Sequence, residues 1–511
     1  MSPRGESVHR PLCPDGRTVI DAECSEPCAE RSRPYVLAAT ILASAMAFID
    51  GSIVSIALPA IQSDLDASFA ALQWVVNGYA LLLGGLILIG GSAGDRFGRR
   101  KVFLAGLFVF ALASLLCALA PSIEALIVAR CLKGIGAALL VPQSLAIIAA
   151  SFPKDVRGRA IGIWAGASAI TTALGPPLGG ILIDAFDWRA VFWINLPLSA
   201  VAVWLTLAHV PESRDETTSG PLDWGGGILA IVAFGALTVS LTLIGDDWRA
   251  LPWPAALIAV GIAGLVLFVR TEARVTAPLM PLSLFDDRVF TGANVMTLFL
   301  YGALSGALFL LPFELIERRA LSATQVGLVL LPFGVIIGTL SRVAGAWADR
   351  IGPRVPLAAG SLLTSAAAAA LAVSFDNLWL GVVVPVGVMA LGMAMVVAPL
   401  STAVMNAAPD RQAGAASGVN NAASRLAGLF AVAIVGATAS VVFGSELPPG
   451  ARFGELPAVG EPGRSVREDA FVHAYGIAMA LAAVWSLLAG IVAMAFLPKH
   501  PPSVPGGTGG R

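Results

Sequence analysis

Residues 91–101 read GSAGDRFGRRK, and residues 345–354 read GAWADRIGPR; each lies in a short gap between two long apolar runs. Both keep the frame G-x-x-x-D-R-x-G-x-R. Glycine lets so short a link reverse direction with φ > 0. The carboxylate of Asp95 or Asp349 can accept hydrogen bonds from the free N–H groups of a neighbouring helix end and can pair with arginine. The remaining arginines hold the gap in water on the cytoplasmic side of a membrane. One such match is an ordinary polar turn, but two in corresponding places are an internal repeat.

Working outward, the apolar runs reach membrane-spanning length again and again. The chain has 511 residues, 57% of them hydrophobic and 13% charged, with a mean hydropathy of +0.82. It is therefore an all-α polytopic membrane protein rather than a string of soluble domains. No basic patch interleaved with aromatics points to nucleic acid. A Walker loop, an HExxH helix and a convincing nucleophilic triad are all missing, so the expected class is a non-enzyme without metal or cofactor. Of the cysteines, Cys117 and Cys131 fall inside apolar runs and read as reduced thiols. His9, Cys13, Cys24 and Cys28 match no standard zinc spacing, and the tail that holds them reads as disordered.

Fourteen spans are expected, at 35–61, 70–93, 102–120, 123–150, 160–183, 190–210, 224–244, 253–269, 290–315, 323–343, 355–374, 378–406, 413–443 and 471–497. If residues 1–34 are a cytoplasmic tail, the gaps on that side carry twenty-one Lys and Arg against seven on the other, with four inside helices. That bias puts both termini in the cytoplasm. The repeated loops follow spans two and ten. The repeat units are then residues 35–210 and 286–497, with two additional spans in 211–285 and a second cytoplasmic tail at 498–511. Parallel repeats of this kind put a substrate site near the bilayer midplane where the halves meet.

GSAGDRFGRRKV resembles the loop signature of the major facilitator superfamily, between the second and third helices of each six-helix half. Pro353 and the lack of a following basic pair make the second copy the weaker one. The resemblance implies the major facilitator fold, two six-helix bundles plus two extra helices between them. With fourteen helices it is similar to the drug:proton antiporter branch. On that resemblance Gly91, Asp95, Arg96, Gly98, Arg99, Asp349 and Arg350 form a cytoplasmic gate. The protein would be a secondary exporter of the bacterial cytoplasmic membrane, moving amphipathic drugs or antibiotics outward against protons. Its partners would be the substrate, protons and lipid, with the proton gradient as energy source.

Individual residues support this. Asp50, in FIDGSIVSIALPAI, lies inside the first span, where a charge costs about 2.5–3.5 kcal/mol and needs a partner or a wet cavity. It either couples protons or fixes helix packing. The stretch resembles the branch's first-helix motif, ending in Leu58-Pro59. Arg130 and Lys133, in RCLKGIGAA, share a helix face at i,i+3. At about 1.5 Å per residue they lie roughly 12 and 16 Å from the outer end of their helix, and Asp50 roughly 18 Å from the outer end of its own, so pairing is expected. The run resembles the family's fourth-helix motif, in which the arginine is assigned to proton transfer and glutamine is commoner at the place of Lys133. Gly162, Gly175, Pro176, Gly179 and Gly180 resemble the antiporter motif G-x8-G-x3-G-P-x2-G-G, with Thr171 in place of its second glycine. Small residues for close packing explain these glycines equally well.

WRAVFWINLP and NNAASRLAG also resemble that branch. Arg425 sits at mid-depth and binds either an anionic group or backbone carbonyls. Gln73 and Asn77, at i,i+4, either line the cavity or tie helices together. Glu314 reads as a solvated acid at the outer surface in preference to a gate. The mid-depth excess of Arg130, Lys133 and Arg425 over Asp50 points to neutral or anionic substrates.

Overall fold

The computed structural model describes residues 30–499 apart from 215–222, 248–252, 276–277, 279, 374, 410–411, 449–450 and 458–459. Most of both expected tails, including the cysteines at 13, 24 and 28, lies outside these residues. Arg33 and Pro34 already belong to the first helix, where proline is at home because the N–H groups of the first turn have no partner within the helix to lose.

Fourteen helices are long and apolar enough to cross a membrane, and no strand occurs among the described residues. In chain order they are α1 (Arg33–Leu65), α2 (Phe69–Phe97), α3 (Arg99–Ala118), α4 (Ile123–Ser151) and α5 (Lys154–Ala185). A sixth span is built from the short α6 (Ala190–Trp193) and α7 (Asn195–His209). Then come α8 (Trp224–Asp247), α9 (Trp253–Glu272), α10 (Arg288–Phe313), α11 (Ala323–Ile351) and α12 (Arg354–Val373). The set closes with α13 (Val384–Asn406), α14 (Ala413–Glu446) and α15 (Arg464–Phe496). The first six spans form one bundle and the last six, α10 to α15, form the other. They meet along two seams, α5 against α11 and α2 against α14. The additional α8 lies over the α2–α14 seam and touches both helices, while α9 packs on α8.

The helices outrun their hydropathy. α2 continues through Asp95 and Arg96 to Phe97, and α11 continues through Asp349 and Arg350 to Ile351. The expected gap shrinks at each site to a single reversal, at Gly98 (φ 104°) and at Gly352 (φ 88°). In the first copy the N–H of Gly98 bonds Gly94 O at 3.0 Å; in the second the N–H of Gly352 bonds Ala348 O at 2.8 Å. The arginine two residues after each glycine repeats one contact: Arg100 donates to Leu207 O at 2.9 Å at the end of α7, and Arg354 to Leu497 O at 2.7 Å beyond α15. Cations on the free carbonyls of a helix C-terminus complement its dipole. The internal repeat is thus a repeat of structure as well as of letters.

The carboxylate expected to cap the next helix is a different one. Asp95 bonds Arg99 at 2.8 and 3.1 Å within its own half, and Glu212 accepts the N–H of Arg100 at 3.0 Å instead. Asp349 is exposed and has no ion pair among the described residues. The same Glu212 carboxylate lies 2.6 Å from where a Cβ at Gly98 would stand. Gly98→Ala therefore meets both the positive φ and the cap, and is expected to cost about 1–3 kcal/mol, measured as a lower melting temperature in detergent. An unchanged melting temperature would show that the turn relaxes freely.

On the side away from these loops the molecule is shut. Phe69, Phe309, Phe313, Phe443, Phe453 and Phe471 form a buried cluster, with Phe453 4.8 Å from both the Phe69 and the Phe471 ring centroids. Phe453 belongs to the α14–α15 connection, which also reaches the first half: Gln62 Nε2 donates to Phe453 O at 3.1 Å and Arg452 pairs with Asp66 at 2.5 Å. Across the α5–α11 seam, Asp184 accepts the N–H groups of Ala323 (3.1 Å) and Thr324 (2.8 Å), the free donors at the start of α11.

Candidate functional site

Asp50, Arg130 and Lys133 come together as their depths require. All three are at most 1% exposed. Arg130 Nη1 donates to Asp50 Oδ2, and Lys133 Nζ donates to Asp50 Oδ1 at 2.5 Å. Arg130 Nε also donates to Val75 O at 2.9 Å, and its guanidinium lies 4.5 Å from the Tyr79 ring centroid. Lys133 is boxed by Phe110 (4.7 Å) and Phe192 (5.0 Å). Rings satisfy a cation without supplying a proton acceptor. The formal charge of the cluster is +1, one carboxylate against two cations.

Through Arg130 the cluster borders a cavity of about 490 Å³ between the halves, with Asp50 and Lys133 outside its lining. Residues of α1, α2, α4, α5, α10, α11 and α14 line it, among them Phe48, Asn77, Arg130, Pro176, Tyr301 and Arg425. Phe309 is shared between this lining and the aromatic seal, so the seal is the cavity's floor. Toward the loop-motif side the α5–α11 seam widens. A Cβ at Gly180 would stand 2.2 Å from Ala323 O and one at Gly327 2.5 Å from Pro176 O, but one at Gly338 only 3.9 Å from Ala169, and Gly158, Gly162 and Gly166 face nothing within 4 Å. A bundle pair with a midplane cavity, closed at one end and parted at the other, is the layout of an alternating-access transporter.

Residues 40–432 match the sequence profile of the Major Facilitator Superfamily. The chain belongs to that superfamily. It is 35% identical over 424 residues to the multidrug resistance protein Stp of Mycobacterium tuberculosis (strain CDC 1551 / Oshkosh), covering 82% of this chain and 78% of that one. With the tetracenomycin C resistance and export protein of Streptomyces glaucescens it shares 33% over 452 residues, 86% and 82% of the two chains. Among solved structures, a bacterial homologue of the human lysosomal transporter Spinster, inward-facing and unoccupied, superposes with a TM-score of 0.66 at 18% identity, covering 93% of this chain and all of that one. A D-xylose–proton symporter does so with a TM-score of 0.62 at 16% identity, over 91% and 98%. These likenesses share the fold.

Within this major facilitator protein the remaining expected residues separate. Arg425 reaches the cavity; its Nε is buried and unpartnered, and no carboxylate pairs with it among the described residues. Asn77 also lines the cavity and is fully buried, with both amide atoms unpartnered. Gln73, one turn away, packs against Gly436 in the α2–α14 seam outside the lining; neither amide ties helices together. Of the antiporter-motif residues, Gly175 and Gly179 admit Ser52 and Ile53 of α1 and Gly180 admits α11, whereas Gly162 touches nothing. Asp95, expected in the cytoplasmic gate, pairs here with Arg99 of its own half.

Glu314 overturns its expectation. It is 1% exposed and not solvated, because a π turn over Glu314–Arg318 folds Arg318 (2.8 Å) and Arg319 (2.9 Å) back onto one carboxylate oxygen. A hydropathy run that ends in charged residues cannot distinguish a wet end from one coiled back into the protein. Sequence reasoning also passed over Tyr79, Phe110 and Phe192, which read as ordinary apolar positions, and Asp184, which reads as the polar end of a span.

Proposed function

We propose that this protein exports amphipathic small molecules, of the drug or antibiotic kind, across a bacterial cytoplasmic membrane in exchange for protons, by alternating access. One observation carries the proposal: a carboxylate and two cations buried together beside a drug-sized cavity that lies between two bundles and is shut at one end. The resistance and export functions named for its relatives support the outward direction. The Lys and Arg bias supports a cytoplasmic position for the loop-motif side and both termini. On that orientation the aromatic seal faces outward, and this conformation loads substrate from inside. Residues 35–210 and 286–497 rock against each other, with 211–285 inserted between them, and the two DRxGR loops bound the cytoplasmic opening.

The proton gradient supplies the energy, with no cofactor. Adding a proton to the cluster takes it from +1 to +2, whereas losing the proton shared by Lys133 and Asp50 takes it to zero. A dry site favours the smaller charge, so the exchange runs between +1 and neutral. Purified protein in vesicles is expected to release protons when tetracenomycin C is added, and an imposed proton gradient is expected to drive uptake of the drug against its own gradient. Drug movement indifferent to the proton gradient would overturn the coupling, and no movement of any compound the export.

A further inference from the structure

The cavity's charge is lopsided. Two guanidinium groups, Arg130 and Arg425, belong to its lining, and no carboxylate does. Arg130 is committed to Asp50, Val75 O and the Tyr79 ring. Tyr79 in turn gives its hydroxyl to Ala47 O at 3.2 Å. Arg425 is committed to nothing of opposite charge among the described residues, and Asn77, in the same lining, holds a fully buried amide with neither donor nor acceptor satisfied. A buried polar group without a partner is costly, as the Asn77 amide and the Arg425 Nε are. Such groups persist where a ligand completes them. Around them the wall is apolar, including Phe48, Leu304, Leu308, Phe309 and Phe333.

We infer that the cavity is a site for singly charged anionic amphipaths, whose carboxylate, sulfonate or phenolate is taken by Arg425 and Asn77 while the apolar body lies on the phenylalanines. This rests on the export reading of the same cavity and adds the substrate's charge to it. The charge on Arg425 acts in the same sense, since an unpaired guanidinium in the lining repels a lipophilic cation. Exchange of an anion outward for protons inward moves negative charge out and positive charge in, so both halves of the membrane potential assist export.

The test uses three compounds with one body and different charge: 1-naphthaleneacetate, 1-naphthaleneacetamide and 1-naphthylmethylammonium. Binding to the full chain is measured in phosphatidylcholine nanodiscs, which keep anionic lipid away from the site. The acetate is expected to bind at least about tenfold more tightly than the amide, as a charge-assisted hydrogen bond allows, and the ammonium compound most weakly. Arg425→Gln is expected to abolish the preference for the acetate over the amide, and Arg425→Lys to restore part of it. Asn77→Asp, which places a carboxylate in the wall, is expected to reverse the order in favour of the cation. Equal binding of acetate and amide to the native chain, or a preference that survives Arg425→Gln in a protein with native melting behaviour, overturns the inference. Proton release driven by the amide or the cation but not the acetate would also overturn it and leave the export reading intact. A charge preference without compound-driven proton movement would do the reverse.

Discussion

Asp50→Asn gives a protein that no longer releases protons when substrate is added and that melts earlier than the native chain. The substitution keeps the shape of the side chain and removes its charge, so Arg130 and Lys133 are left facing each other with no anion, both essentially inaccessible to water. Breaking a buried pair by removing one partner costs about 3–5 kcal/mol, because the charge left behind has no compensation. A loss of stability alone would not separate coupling from packing, and the double variant Asp50→Asn/Lys133→Gln does. With one cation left, still bonded to Val75 O and stacked on Tyr79, most of the lost stability returns. The cluster is then fixed at +1 and has no proton to exchange, so proton release stays absent. Lys133→Gln alone keeps coupling, because the Asp50–Arg130 pair can still alternate between neutral and +1. Native proton release by Asp50→Asn would assign the residue to packing.

Gly327→Val is expected to hold the far side of the molecule open. A Cβ at this position would lie 2.5 Å from Pro176 O and 2.7 Å from Pro177 Cα, backbone of the facing helix that cannot swing aside. In the conformation that is sealed at that side the valine overpacks the seam, a penalty of about 1–3 kcal/mol, which shifts the balance between conformations by roughly 5- to 150-fold. Transport falls by a comparable factor. Leu308, on the cavity wall, gives a direct reading: a Leu308→Cys thiol in a chain free of other cysteines is protected from an impermeant reagent on the sealed side, and becomes reactive once Gly327→Val is added. Asp184→Ala, which removes the two hydrogen bonds to Ala323 and Thr324, acts in the same direction by about 1 kcal/mol. Native transport with the thiol still protected would show that the close approach of α5 and α11 is incidental.

What could be read in advance follows a physical line. Span number and the halves were legible because a bilayer imposes length and apolarity on every helix, and the repeated loop marks corresponding places. The meeting of Asp50 with Arg130 and Lys133 was legible because depth is arithmetic in a helix with a known rise, and charges at one depth seek each other. Facing is another matter. Gln73 and Asn77 lie on one stripe of α2, yet one turns to the cavity and the other to Gly436, a choice made by the neighbouring helix. Glu314 and Phe453 show the same limit at the ends of spans, where a π turn and a connecting loop bury residues that a hydropathy profile leaves in water. Asp95 has an arginine four residues on and takes it, and a glutamate over a hundred residues away does the capping instead.

The insertion changes how the crevice meets the lipid. Ile231 of α8 sits 2.6 Å from a Cβ built on Gly85, Ile89 of α2 sits 2.2 Å from one built on Gly227, and Phe234 stacks edge-on with Phe430 of α14. One flank of the two-bundle barrel is therefore boarded over by a helix that grips both sides of the joint. Among the described residues the opposite flank carries no such helix: there α5 and α11 part toward the loop-motif side, and Ile163 and Ile170 are exposed.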